Sequence, residues 1–260
     1  MGRRTTLPAH NHSPASAHSN RILAALPPAD YTRVVSSLDL VSLKLKEVLQ
    51  PPGEPLQHVY FPTSGFLSVL TVLSDGRMVE VATIGREGLV GVSAAFNDGP
   101  EPSVAMVQAE SDACYRMTVA AFRREMDRRG AFQDLVSRYT HALMGFIMQG
   151  TACNAVHSVE QRLARWLLLA QDRVEKEEFP LTQEFVAMML GATRPTVTVV
   201  AGTLQKAGLI KYHRGRVTIV DRNHLEDASC ECYGAATDLL RAVTEGRPDR
   251  FADQSAEISS

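Results

Sequence analysis

The sequence has no overall excess of positive charge, so it does not look like a protein that binds nucleic acid through its whole surface. It contains 27 Lys and Arg against 29 Asp and Glu, and its formal net charge is -2. The basic residues are nevertheless concentrated. Residues 190–220 contain no acidic residue and five basic ones, which are Arg194, Lys206, Lys211, Arg214 and Arg216. Such a cluster can face phosphates or can be a solvated surface, and charge alone does not decide between these.

Cysteine and long apolar runs are also scarce. The four cysteines are too few and too scattered for a disulfide framework, which is typical of a protein from a reducing compartment. No apolar run reaches the ~20 residues of a membrane span. The polar stretch after Arg3 and Arg4 lacks the apolar core of a secretory signal. We therefore expect a cytoplasmic protein without a membrane partner.

The pattern of apolar, polar and turn-forming residues changes along the chain and predicts an α+β protein with several domains. Residues 1–19 are rich in His, Ser, Ala and Pro and are expected to form a disordered tail, as are residues 243–260. Residues 20–130 begin with one or two short helices and continue as short apolar runs separated by turns. This pattern predicts an antiparallel β-roll. Between two of these runs, Asp75-Gly76 predicts a two-residue hairpin.

Residues 131–157 are predicted to form one long helix that serves for dimerisation. Its apolar residues recur at alternating steps of four and three over about three heptads, as in a coiled coil. A second copy of the chain is the expected partner, although a single wide core-facing stripe gives the same pattern over three heptads. The predicted interface consists of Phe132, Val136, Tyr139, Leu143, Phe146, Gly150 and Cys153.

Residues 158–242 have the order helix, helix, turn, helix and hairpin, which predicts a winged helix-turn-helix. Ser158 and Gln161 have the spacing of a capping box, so the first helix should begin there. Thr182 is expected to cap the next helix. Residues 209–220 indicate two short strands around a basic turn that contains glycine.

Residues 193–206 alternate Thr and Val like a strand, yet the stretch has the start and stop signals of a helix. Thr193 is a good N-cap, and Pro195 in the first turn lacks only an N–H that would have had no partner there. Gly208 is a suitable stop. An apolar face at helical spacing supports the helix. This face consists of Val197, Val200, Ala201 and Leu204.

This arrangement resembles the CRP/FNR family of bacterial transcription regulators over residues 20–224. The stretch LTQEFVAMMLGATRPTV, which starts at Leu181, is similar to the helix-turn-helix motif of the family, and IGREGLVG, which starts at Ile84, resembles its G-E-x-x-G stretch. The resemblance implies a cyclic-nucleotide-binding-like β-roll, a dimerisation helix and a recognition helix over residues 193–206. It implies double-stranded DNA with a palindromic operator, a second copy of the chain and RNA polymerase as partners.

The resemblance also implies roles for individual residues. Arg194 would read a base, since Arg suits the O6 and N7 atoms of guanine, while Thr193 and Thr196 would contact phosphates. Pro195 and Val199 stand where the family commonly has Glu and Arg, so the operator should differ from that of the best-known members. The full predicted DNA-binding set is Thr182, Thr193, Arg194, Thr196, Lys211, His213, Arg214 and Arg216.

The β-roll departs further from the family pattern. Cyclic-nucleotide binders of the family use a Glu for the ribose and a downstream Arg for the phosphate. Here Arg86 holds the Glu position, and Pro102 with Ser103 holds the Arg position. Burying a phosphate without a cationic partner is costly, so we expect no response to cyclic AMP. The candidate effector pocket consists of Arg86, Glu87, Gly88, Leu89 and Ser103.

Two other functions fit parts of the sequence less well. A cupin-type metalloenzyme needs two or more histidines in the roll, which has only His58, so no enzymatic activity is expected. The second alternative is an effector-binding signalling module, with cyclic nucleotide or another small ligand in the β-roll and DNA binding secondary. Arg194 and its acid-free surroundings favour DNA binding.

The cysteines do not predict a metal centre. The oxygen-sensing branch of the family ligates an iron–sulfur cluster through N-terminal cysteines, whereas the first cysteine here is Cys114. Cys230 and Cys232, with His224 nearby, do not have the usual C-x₂₋₄-C zinc spacing. We therefore expect no metal and no cofactor, and assign Cys153 to helix packing.

Overall fold

The computed structural model describes residues 16–96 and 99–245 of the chain. Most of the two predicted tails, residues 1–15 and 246–260, lies outside this part. Inside it, Ala17–Ser19 forms a 3-10 turn in which Ala17 is buried. These residues thus belong to the folded part and not to a tail.

The described chain begins with two short helices, α1 (Arg21–Ala24) and α2 (Pro28–Val35). Asn20 caps α1, since its side chain accepts hydrogen bonds from the backbone N–H groups of Ile22 and Leu23. The Nδ2 of Asn20 donates to the backbone oxygens of Pro62 at 2.9 Å and Gly88 at 2.8 Å. A single buried amide therefore both starts α1 and fixes it to the β-roll.

The β-roll is built from two antiparallel sheets, with strand orders β1-β7-β3 and β2-β6-β4-β5. The antiparallel roll predicted from the sequence is confirmed. The strands are β1 (Asp39–Leu43), β2 (Val48–Gln50), β3 (His58–Pro62), β4 (Phe66–Val72), β5 (Met78–Ile84), β6 (Ser103–Ala109) and β7 (Ser111–Thr118).

The hairpin between β4 and β5 lies where Asp75-Gly76 predicts it, but its loop is longer than two residues. Leu73 N donates to Arg77 O at 2.8 Å, and Gly76 N donates to Leu73 O at 2.9 Å. Three residues thus form the loop, and Gly76 has a φ of 83°. This is a turn followed by a glycine bulge, which needs a residue that tolerates positive φ. The prediction of a two-residue loop was wrong by one residue.

Three helices follow the β-roll: α3 (Val119–Asp127), α4 (Ala131–Val156) and α5 (Val159–Val174). Between α4 and α5 the chain leaves helical geometry at His157 and Ser158, and we call this break the hinge. The remaining elements are β8 (Glu178–Pro180), α6 (Gln183–Leu190), α7 (Arg194–Lys206), β9 (Ile210–His213), β10 (Arg216–Ile219), α8 (Arg222–Asp227) and α9 (Cys232–Glu245).

The long helix is present as α4, but its apolar stripe is covered by the same chain. Phe132, Val136 and Tyr139 belong to a core that also contains residues of the β-roll, and the hydroxyl of Tyr139 donates to Leu89 O at 3.0 Å. Phe146 and Cys153 are buried against residues of α9 and the segment before it. The heptad pattern predicted the apolar face of α4 correctly. The prediction that a second copy of the chain covers these residues was wrong, because the roll and α9 of the same chain cover them. Of the remaining predicted interface residues, Leu143 packs in the same cores and Gly150 lines an internal cavity.

The local signals in the C-terminal part are confirmed. Ser158 and Gln161 form the predicted capping box, and Thr182 and Thr193 cap α6 and α7. Gly208, with a φ of 78°, follows the end of α7. Short-range hydrogen bonds within four residues produce these features, so the sequence contains all the information that they require.

The winged helix-turn-helix rests on the β-roll and on α4. One core cluster contains Phe66 and Leu70 of β4 together with Leu167 of α5 and Leu204 of α7. Helix α9 packs along α4 and extends three residues beyond the range predicted for the DNA-binding domain, so residues 243–245 are helical and not part of a tail. The domain boundaries at residues 20, 131 and 158 stay a prediction, and the contacts of α9 cross them.

No single helix among the described residues is long and apolar enough to cross a membrane. The pair α6 and α7 passes this criterion only when taken together, and it is bent by 105°.

Candidate nucleic-acid interface

Helix α7 begins as the sequence predicts. The Thr193 side chain accepts a hydrogen bond from Thr196 N at 3.4 Å, and the two threonine hydroxyl oxygens lie 2.9 Å apart. Pro195 occupies the first turn, where no backbone N–H is needed. The start of the helix is therefore stiff, with two hydroxyl groups beside the Arg194 side chain.

The angle between α6 and α7 is fixed by packing and by one hydrogen bond across the turn. The Thr198 hydroxyl donates to Gln183 Oε1 at 2.8 Å. On the inner face of α7, Val197, Ala201 and Leu204 are buried in the core. The outer face, which includes Arg194, Thr198 and Val199, is exposed. Sequence reasoning missed Gln183, whose contact depends on the approach of two helices.

The side chain of Arg194 is exposed and has no hydrogen bond or ion pair to another described residue. The backbone carbonyl of Arg194 accepts from the Thr198 hydroxyl at 3.0 Å. A guanidinium that is free at the first turn of an exposed helix can meet the edge of a base pair.

The wing is the hairpin of β9 and β10. Its turn consists of Arg214 and Gly215, with φ values of 47° and 75°. Both residues have positive φ, as in the tight hairpin turns that match the twist of the strands. Lys211, His213 and Arg214 are exposed, and Lys211 and Arg214 have no side-chain partner among the described residues. The wing therefore presents free positive charge at its tip.

Arg216 differs from the other basic residues of the wing. Its guanidinium forms an ion pair with Glu178 of β8, which pairs with β10. Because Arg216 donates this hydrogen bond, the pKa of Glu178 lies below its ordinary value. The sequence did not reveal this pair, because Glu178 lies outside the acid-free segment and β8 has only three residues. Arg216 is thus already neutralised in part, unlike Arg214.

The fold brings Thr182 next to the wing. Leu181 N donates to Gly215 O at 2.7 Å, and the Thr182 methyl group lies beside Gly215. The Thr182 hydroxyl accepts from Phe185 N at 3.2 Å, so it caps α6. The predicted DNA-binding residues consequently fall into two groups, one at the start of α7 and one around the wing tip.

The residues of the candidate effector pocket do not converge. Arg86 forms an ion pair with Glu175, and the Glu87 carboxylate accepts from Arg173 Nε at 2.8 Å. The Tyr139 ring leaves no room for a Cβ at Gly88. Leu89 is fully buried in the core, and the Ser103 hydroxyl donates to Glu101 at 2.8 Å.

Arg86 and Glu87 of the predicted pocket line a cavity that has a volume of about 520 Å³. Its other walls come from α1, α5, α8 and α9. Arg173, Arg222 and Arg241 alternate there with acidic residues such as Asp172 and Glu226, so the cavity has no dominant charge. The five predicted residues therefore do not surround one pocket within the roll, and the effector site stays a prediction.

The comparisons with known proteins match both halves of the chain. Residues 40–129 match the cyclic nucleotide-binding domain family, and residues 161–228 match the Crp-like helix-turn-helix domain family. Together these matches span more than half of the chain. No curated protein matches it.

Solved structures of similar fold cover most of the chain. A putative transcriptional regulator of the crp/fnr family from Eubacterium rectale is 19% identical, covers 81% of this chain and 98% of its own, and has a TM-score of 0.64. The c-di-GMP responsive global regulator CLP from Xanthomonas campestris is 15% identical, with coverages of 74% and 99% and a TM-score of 0.62. TTHB099 from Thermus thermophilus, a CRP family regulator, is 20% identical, with coverages of 73% and 96% and a TM-score of 0.60.

The fold and the interface define a transcription regulator that joins a β-roll of the cyclic nucleotide-binding type to a DNA-binding winged helix-turn-helix. The chain belongs to the CRP/FNR family.

Proposed function

We propose that the protein acts in the cytoplasm as a homodimeric, sequence-specific regulator that reads a palindromic operator with the first turn of α7. The observation that supports this most directly is the exposed, unpaired Arg194 side chain beside the Thr193–Thr196 cap. Arg214 and Lys211 at the wing tip are free to contact phosphates on either side of the groove. RNA polymerase is the proposed partner at the promoter, and transcription of an operator-bearing template with purified polymerase tests that step.

The proposed dimer uses the face of α4 that the chain leaves uncovered. Met144 is 55% exposed and Met148 is 65% exposed. They belong to a stripe of exposed residues at steps of three and four, which consists of Ser137, His141, Met144, Met148, Ala152 and Ala155. Neighbouring exposed methionines on one helix form an adaptable apolar surface that a second α4 can cover. Since a two-fold protein reads a two-fold site, the half-site centres should lie about 34 Å apart.

Replacing Met144 and Met148 together by Asp should convert the dimer to monomers. Four carboxylates would then meet in the interface of two helices, where unpaired charge is costly. Sedimentation equilibrium measures the oligomeric state directly. The control is Leu73→Asp, which places one carboxylate on an exposed apolar residue of the β4–β5 hairpin and should leave the dimer intact. A double variant that sediments as a dimer excludes this face.

The roles of Arg194 and Arg214 can be separated by measuring affinity on matched operators and on single-base variants. Arg194→Ala should lose ~1–3 kcal/mol of binding free energy on the cognate operator and relax the preference at one base pair per half-site. Arg214→Ala should weaken binding to all sequences about equally and lower the salt slope by ~1 per phosphate contact. A salt titration of the dissociation constant measures both effects.

Arg194→Lys is the sharpest control, because it retains the charge but cannot form the two parallel hydrogen bonds of a guanidinium. It should lose base preference almost as fully as Arg194→Ala. If instead Lys restores the preference, Arg194 acts as a charge and not as a base reader. Arg216→Ala should have a smaller effect than Arg214→Ala, because Arg216 exchanges one anionic partner, Glu178, for another.

Cyclic AMP is not the proposed effector. Arg86 and Glu87, the charged groups of the predicted pocket, already have partners in Glu175 and Arg173 of the α5 end. A nucleotide at this place would have to break a buried ion pair and replace it. Cyclic AMP added to the same titrations should therefore leave the operator affinity of the unmodified protein unchanged, and a change at micromolar concentration would show the opposite.

A further inference from the structure

Three cysteines and one histidine converge at the hinge between α4 and α5. Cys153 lies in the last turn of α4, and His157 follows the last residue of that helix. Cys230 and Cys232 lie just before and at the start of α9. The three thiol sulfurs and one ring nitrogen all lie within 4.8 Å of one another.

Two distances within this cluster are close to the edges of a tetrahedron around one metal ion, and the other pairs lie within 4.8 Å. Cys153 Sγ lies 3.5 Å from Cys230 Sγ, and Cys232 Sγ lies 3.6 Å from His157 Nδ1. With zinc–sulfur bonds of ~2.3 Å and zinc–nitrogen bonds of ~2.0 Å, tetrahedral edges are about 3.8 Å between sulfurs and about 3.5 Å between sulfur and nitrogen. A zinc ion therefore fits between the four atoms with small adjustments.

Neighbouring groups orient the ligands as in known metal sites. Glu231 Oε2 lies 3.2 Å from His157 Nε2, so the carboxylate can hold the proton on that nitrogen and leave Nδ1 free to bind a metal. Gln149 Nε2 donates to Cys232 Sγ at 3.1 Å, a contact that stabilises a thiolate. Neither contact is required for a cluster that serves packing alone.

The charges around the cluster also favour bound thiolates. Arg165 is buried, and its Nε atom, like that of Arg162, has no hydrogen-bond partner among the described residues. Arg165 lies close enough to Cys153 for its positive charge to act on that sulfur. Three thiolates and one Zn²⁺ leave a net charge of −1, which a buried guanidinium can balance.

A disulfide or an iron–sulfur cluster would account for less of this arrangement. A bond between Cys153 and Cys230 would consume an oxidant and would leave Cys232, His157 and the Glu231 contact without a role. An iron–sulfur cluster places its own iron and sulfide atoms between the ligands, so four ligand atoms within 4.8 Å of one another are too close together for it. Four nitrogen and sulfur ligands around one point are typical of a closed, structural zinc site.

We propose that Cys153, His157, Cys230 and Cys232 bind one zinc ion, which fixes the end of α4 to the start of α9. The spacing of Cys230 and Cys232 alone does not predict this site. The other two ligands lie more than 70 positions earlier, since Cys153 and Cys230 are 77 residues apart. The site lies at the hinge that joins the roll and α4 to the winged helix-turn-helix, so the occupancy of the metal sets how firmly that hinge is held.

The test is the metal content of the full chain, purified with a phosphine reductant and without chelators. Plasma mass spectrometry should find one zinc ion per chain, and Cys232→Ser and His157→Gln should each lower the content at least tenfold. The matched control is Cys114→Ser, which removes a buried cysteine of β7 that has no place in the cluster and should leave the zinc content unchanged.

Two further measurements test the zinc site even if a ligand variant fails to fold. Cobalt added to the metal-free protein should give the charge-transfer and visible bands of tetrahedral thiolate coordination, and zinc should abolish them. Glu231→Gln, an exposed change outside the ligand set, should weaken zinc binding by about 10- to 100-fold. An unmodified protein that contains no zinc and gives no cobalt bands overturns the proposal. So does a Cys153–Cys230 disulfide in the mass spectrum, or the absorption of an iron–sulfur cluster.

Discussion

Arg173→Met should lower the free energy of unfolding by about 3–5 kcal/mol, because it leaves a buried carboxylate without its partner. The side chains of Arg173 and Glu87 are 4% and 11% exposed. Arg173 Nε donates to Glu87 at 2.8 Å, and its other nitrogens donate to Leu169 O at 2.8 Å and Thr83 O at 3.1 Å. One guanidinium thus joins the loop after β5 to α5. Urea unfolding of both proteins gives the difference.

A double-mutant cycle separates the pair from the change in packing. Glu87→Gln combined with Arg173→Met removes both charges and should recover a large part of the loss, since a neutral pair leaves no buried charge. The control is Arg77→Met, which breaks an ion pair with Asp75 whose side chains are 77% and 50% exposed. That change should alter stability by less than about 1 kcal/mol. A loss of this small size for Arg173→Met would mean that the Glu87 carboxylate is hydrated.

Ionisation of Glu80 should lower the free energy of unfolding as the pH rises from about 4 to about 8. Burial raises the pKa of Glu80 from 4.5 to about 7, although hydrogen bonds from Ser68 and Trp166 oppose the rise. The Trp166 indole donates to Glu80 at 2.7 Å, so the carboxyl group connects β5 with α5. Because the folded state holds the proton more tightly than the unfolded state, stability is fully present below pH 4.5 and is lost as the pH rises through 7.

The pKa shift of Glu80 sets the size of this loss in unfolding free energy. One pKa unit corresponds to about 1.36 kcal/mol, so the shift from 4.5 to about 7 gives about 3 kcal/mol. Other groups titrate over the same range, so the quantity to measure is the difference between Glu80→Gln and the unmodified protein. This difference in unfolding free energy should move by about 3 kcal/mol in favour of the variant between about pH 4 and about pH 8. Glu54→Gln, at an exposed position, should show no such change. Parallel pH profiles for Glu80→Gln and the unmodified protein would refute the assignment.

Elements that depend on nearby residues could be predicted from the sequence. The capping box at Ser158, the cap at Thr193 and the wing turn at Arg214 and Gly215 are all made by residues within four positions of each other. The resemblance of residues 181–197 to a helix-turn-helix motif then indicated where DNA contacts should lie, and the structure leaves Arg194 free for that role.

Features that depend on distant contacts could not be predicted. Periodicity showed that Phe132 and Tyr139 lie on one apolar face of α4, but it contains no information on what covers that face. The partner of Arg216 is Glu178, on a strand too short to be recognised from its residues. The predicted pocket residues do not converge for the same reason, because Arg86 and Glu87 are held by residues of α5 that lie about 85 to 90 positions later.

The packing of α9 has a consequence for how the chain folds during its synthesis on the ribosome. Ala17 and Val243 belong to the same core cluster, together with Phe132 and Tyr139 of α4. Chains emerge from the ribosome in order, and domains generally fold as units as they appear. Here the core of the β-roll can be completed only after the whole winged helix-turn-helix has been translated. Until then part of the apolar surface of α4 stays uncovered. The nascent regulator therefore passes through an incompletely packed state, and the first domain made is among the last to be completed.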